Sequence, residues 1–73
     1  MYRTLTAIIQ SDEDASVASC PEVDITSQGE TEETARENLR KALELFFECA
    51  PAEELERRMA NRVVVASVAV AVG

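Results

Sequence analysis

One apolar stripe constrains the fold of this chain more than any other feature. Ala35, Leu39, Ala42, Leu43, Phe46 and Ala50 recur at spacings of three and four, which predicts a helix from about 32 to 50 with a single buried face. Thr31 is placed to cap it, and Glu32 and Glu33 complement the helix dipole in its first turn. Opposite charges stand four apart on the outer face, at Glu32–Arg36, Glu37–Lys41 and Arg40–Glu44, each pair adding about 0.2–0.5 kcal/mol. Leu45 and Phe47 lie off the stripe and either widen it or meet a second surface. Pro51 ends the helix and can open a short second one, with Leu55 and Met59 as its inward contacts and Asn61 as its C-cap.

A lone stripe of this kind needs a sheet to cover it, and the rest of the chain supplies strand patterns. Residues 2–10 place Leu5, Ala7 and Ile9 on one face and Thr4, Thr6 and Ile8 on the other. Ser11–Asp14 is a turn group, residues 15–20 a weaker second strand stopped by Pro21, and residues 24–28 a short third strand. Gly29 then permits a backbone turn that other residues resist. In residues 62–72, Val64, Ala66, Val68, Val70 and Val72 fall on one face, with Val63, Val65, Ser67, Ala69 and Ala71 on the other. Both faces are nearly free of charge, as in a strand covered on both sides.

The predicted fold class is therefore α+β, in the order β-β-β-α-(short α)-β. A meander of strands one to three and a right-handed crossover to the fourth give a mixed four-stranded sheet of order 3-2-1-4, with the long helix on one face. The 73 residues form a single domain. A domain this short buries only roughly 60% of its unfolded surface, and a core of this size supplies about 3–5 kcal/mol. The open sheet face and the nearly uncharged last strand invite association. They point to a homodimer or higher homo-oligomer through Val63, Val65, Ser67, Ala69, Thr4, Thr6 and Ile8.

Fourteen acidic residues against seven basic ones give a net charge of -7. Such a chain lacks the basic surface that displaces phosphate counterions, so direct nucleic-acid binding is not expected. The charge suits a basic partner, or it serves solubility alone. Asp12, Glu13, Asp14, Glu22, Asp24 and Glu30 are the candidate partner-binding acids. There is no histidine, which removes the commonest general base and the Ser-His and Cys-His nucleophile arrangements. Cys20 and Cys49 have no metal-ligand spacing and read as small buried hydrophobes rather than reactive thiols. Asn38 either hydrogen-bonds a neighbouring loop or faces solvent. The longest apolar run, about ten residues from Val63 to Val72, is too short to span a bilayer as a helix. No signal peptide is evident, so a cytoplasmic location with reduced thiols is expected. No enzymatic activity, metal or cofactor is expected.

Cys20-Pro21-Glu22-Val23, then Ser27-Gln28-Gly29-Glu30-Thr31, then Glu33 through Ala35-Arg36-Glu37-Asn38-Leu39, then Ala42-Leu43-Glu44-Leu45 together resemble the HicB family, the antitoxins of HicA–HicB toxin–antitoxin systems. The resemblance spans nearly the whole chain. It implies the short form of the family, with only the partial RNase H-like domain and no C-terminal DNA-binding domain. It further implies an antitoxin that binds a HicA-like toxin, a small basic ribonuclease, and covers its active site. Ser16 and Ser19 stand where relatives often carry larger or aromatic residues, and Ser67 and Ala69 replace charges of the last strand. A nuclease of the RNase H type would need converging carboxylates, one of them on the first strand. Thr4 to Gln10 contains none, and Asp12, Glu13 and Asp14 read as solvated turn residues rather than metal ligands.

Overall fold

The computed structural model describes residues 4–73. Its elements are β1 (Ile8–Ser11), β2 (Ser16–Cys20), β3 (Ile25–Gly29), α1 (Glu32–Cys49) and α2 (Ala52–Met59). The strands form an antiparallel meander of order β1-β2-β3, as the turn chemistry predicts. At the first turn, Asp12 Oδ1 accepts from the backbone N–H groups of Asp14 (2.8 Å) and Ala15 (2.9 Å). Asp12 N donates to Ala15 O at 3.0 Å. This is the side-chain mimic of a backbone turn that favours aspartate here.

Alternation along β2 aims Ser16, Ala18 and Cys20 at α1, and all three are buried. Ala18 and Cys20 form the core with Val23, Ala35 and Leu39, against which Leu5, Ile9, Ile25, Leu43, Phe46, Phe47 and Met59 pack. The small residues of β2 have a packing reason. A Cβ built on Gly29 would lie 2.6 Å from Ala35 N and 2.8 Å from the backbone carbon of Thr34. Helix and sheet thus approach too closely at this end for larger side chains. Gly29 is needed for this approach and not for the turn expected from sequence, since the positive-φ positions among the described residues are Asp24 and Gly73. Asn38 Nδ2 donates to Gln28 O at 2.8 Å, which ties α1 to β3.

Thr31 caps α1, its hydroxyl accepting from Thr34 N at 3.1 Å. The ion pairs of α1 are Arg40–Glu44 at 2.7 Å, as the spacing predicts, and Arg40–Glu37, which is three apart. Phe47 widens the apolar stripe, whereas Leu45 is 60% exposed. Beyond Pro51, α2 is fastened by Arg58. Its guanidinium donates to Glu54 at 2.8 Å and to the carbonyl of Val23, and lies 5.3 Å from the Phe46 ring centroid. Ala60, not Asn61, is the C-cap.

Two sequence expectations are corrected. The first strand begins at Ile8, and residues 4–7 are outside the ladder; residues 2 and 3 lie outside the described part. The fourth strand does not form: residues 61–73 adopt neither helix nor strand, and the sheet has three strands, not four in the order 3-2-1-4. The element order β-β-β-α-(short α)-β and the four-stranded partial RNase H-like HicB fold are therefore not the observed architecture. The physical reason is nonlocal. Alternating apolar residues suit a strand, but a strand persists only where a neighbour takes its amides. The free edge of β1 is four residues long. Just before it, the Thr6 amide is held by Glu22 instead.

Candidate interaction surfaces

Antiparallel register decides which acids meet. Ser11, Ser16 and Gly29 are aligned across the three strands, so the β1–β2 turn and the entry to α1 share one end of the sheet. Ser11 Oγ lies 3.5 Å from Glu32 Oε1 across this end. Asp12, Glu13, Asp14 and Glu30 are all exposed there. Glu32 and Glu33, whose only evident sequence role is to complement the helix dipole, join them. Backbone hydrogen bonds from Ala15 and Asp14 hold the Asp12 carboxyl below the usual range. It therefore remains an anion even in mildly acidic solution. Among the described residues, no group of three or more Asp, Glu, Cys or His side chains is arranged to hold a metal ion.

Glu22 and Asp24 do not belong to this cluster. They sit at the opposite end, in the β2–β3 turn. Asp24 is exposed, in the left-handed region at φ 57°. Glu22 is engaged internally. Its Oε2 accepts from Thr6 N (2.9 Å) and Thr6 Oγ1 (2.7 Å), and its Oε1 from Cys20 Sγ (3.4 Å). Desolvation pushes the Glu22 carboxyl up, but the Thr6 hydrogen bonds outweigh it and the group titrates below its usual range. Cys20 is fully buried, and its burial, with the Glu22 hydrogen bond, pushes the thiol up. It stays protonated and serves as core. Cys49 is exposed, unlike the buried residue expected from sequence.

The predicted association residues also divide. Thr6 is half-buried under Glu22, while Thr4 and Ile8 are exposed, Ile8 by 41%. Val63 is half-buried, and Val65, Ser67 and Ala69 are exposed. Exposure reaches 71% at Val64, 81% at Val68 and 88% at Val72. So continuous an apolar run is rarely left in water without something to cover it.

A second surface was not evident in the sequence. α1 lies chiefly across β3 and β2 and only grazes β1. The gap is an open groove of about 1080 Å³ between residues 5–7 and the flank of α1. Leu39, Leu43 and Phe47 form its apolar floor, and Arg36 and Arg40 stand among its polar lining residues. The helix side could have been read from the widened stripe. The opposing wall, Leu5 and Ala7, depends on a long-range contact that no local pattern reveals. Among the described residues, no helix is long and apolar enough to cross a membrane. In comparisons with known proteins, no family model, curated protein or solved structure matches the chain.

Proposed function

We propose that this chain is a protein-binding domain that acts as an antitoxin of the HicB type, its partner being a basic ribonuclease of the HicA type. The observation that carries this reading is the gathering of Asp12, Glu13, Asp14 and Glu30 with the acidic first turn of α1 at one end of the sheet. The HicB-like motifs described above supply the identity of the partner. In a chain of net charge -7, such an end attracts a basic protein over distances near the Debye length and speeds encounter. The domain would cover the toxin's active site and take no part in chemistry.

Co-purification with a HicA-like protein encoded beside this chain tests the reading, together with ribonuclease assays. Capture and loss of ribonuclease activity are expected. Asp12→Lys with Asp14→Lys should weaken capture more at low salt than at high salt. A neighbouring toxin that neither binds nor loses activity contradicts the proposal.

The exposed valines of 63–72 favour a second reading, a self-associating structural or regulatory domain without a toxin. The two readings use different surfaces and are tested separately.

A further inference from the structure

Among the described residues, the domain carries an open groove and, on the same chain, an apolar segment whose valines from 64 onward face water. We infer that two copies associate by arm exchange: residues 63–72 of each copy fill the groove of the other, between its residues 5–7 and the α1 flank of Leu39, Leu43 and Phe47. This deepens the self-associating reading and is independent of toxin binding.

Four observations support a second copy as the occupant. The first is extension. The radius of gyration is 14.4 Å, with extents of 48 × 28 × 18 Å, whereas a compact chain of this length has about 11 Å. The arm accordingly stands out as exposed valines rather than closing on its own domain. The second is length. The groove follows α1 from Arg36 to Glu48, roughly 18 Å at 1.5 Å per residue. A strand of about five or six residues covers that distance, so 63–72 is long enough with residues to spare.

The third observation is pattern. Period-two alternation puts Val64, Val68, Val70 and Val72 on one face. Extended along the groove, that face would meet the apolar flank of α1 while the other face turned outward. The fourth is charge. Two domains of net charge -7 repel each other, but residues 63–72 contain no ionisable side chain. The arm is therefore the part of a second copy that can enter the groove without like-charge cost. Two arms and two grooves close a two-fold dimer and leave neither unfilled.

The test uses the full chain and two variants. Val64→Asp/Val68→Asp damages the arm at positions exposed in the single chain. Ala7→Glu obstructs the groove at an exposed lining residue, so neither should impair folding, which circular dichroism verifies. Light scattering on eluting peaks should give the wild type twice the chain mass of 8.0 kDa. Each variant alone should be a monomer, or dissociate at least about tenfold more readily. Mixed, the two variants should form a one-to-one heterodimer, because one supplies the arm and the other the groove. A wild type that stays monomeric at all concentrations overturns the inference. So does an Ala7→Glu variant that dimerises undiminished, which would mean that arms pair with arms. Toxin capture lost in Ala7→Glu beside a monomeric wild type also overturns it, by assigning the groove to the toxin. Failure of toxin capture by a chain that still exchanges arms bears on the antitoxin reading alone.

Discussion

The half of the molecule made of β2, β3 and α1 differs sharply from the half made of β1 and residues 61–73. In the first, β2 is paired on both sides, its inward residues are buried, and the helix is capped and tied to the sheet through Asn38 and Gln28. In the second, the strand is four residues long, a groove lies between residues 5–7 and α1, and valines face water. The first half has local and mutual reasons for its shape. The second has the composition of sheet without a neighbour to pair with. A sequence can thus specify strand-forming character that a single chain does not use, and such a surplus is a physical ground for seeking a partner.

Substitutions in the two halves should separate stability from association. The largest loss is expected at Gly29→Val. The added Cβ meets backbone atoms of α1 at 2.6 and 2.8 Å, and backbone yields less readily than a side chain. No cooperative thermal melt should remain. Leu39→Ala, at a residue 2% exposed, should cost about 2–5 kcal/mol, read by urea titration. That is comparable with the whole stability of so small a core.

Glu22→Gln should cost less, about 1 kcal/mol, because hydrogen bonds to a charged group are discounted where solvent screens them. Its signature is the pH dependence. The wild-type carboxyl titrates lower in the folded state than in the unfolded chain. Its stabilisation is therefore present above the usual glutamate value of about 4.3 and is lost as pH falls through the lower folded value. Urea midpoints at successive pH values should show a shallower acid decline in Glu22→Gln. At the small end, Val68→Ser should change the stability of dilute monomer by less than about 0.5 kcal/mol while weakening association. A large loss there, with no change in association, would erase the contrast between the halves.

The same contrast explains what was legible in the sequence. α1 was readable because its signals are local: the stripe, Thr31 and Pro51. The meander was readable from its turns. β2 looked weak because Ser16 and Ser19 stand where larger residues are expected, yet the small, buried Ser16 and Ala18 answer to the close approach of α1 at Gly29. The fourth strand was misread because pairing depends on β1, far away in sequence. Glu22 looked like a surface acid because Thr6, its partner, lies sixteen residues earlier. Arg58 has no local pattern that marks its role, though it joins α2 to Val23 and Phe46. The acidic end was half visible: the sequence grouped Asp12–Asp14 and Glu30, and the register added Glu32 and Glu33 while removing Glu22 and Asp24.

Hydrogen exchange of the backbone amides of residues 63–72, followed over protein concentration, tests most directly whether this segment is completed by another copy. These amides should exchange at unprotected rates in dilute monomer and become protected as the chain associates, while β2 and α1 are protected throughout. Protection that is already full in the monomer, or that never appears in the associated state, would contradict the account.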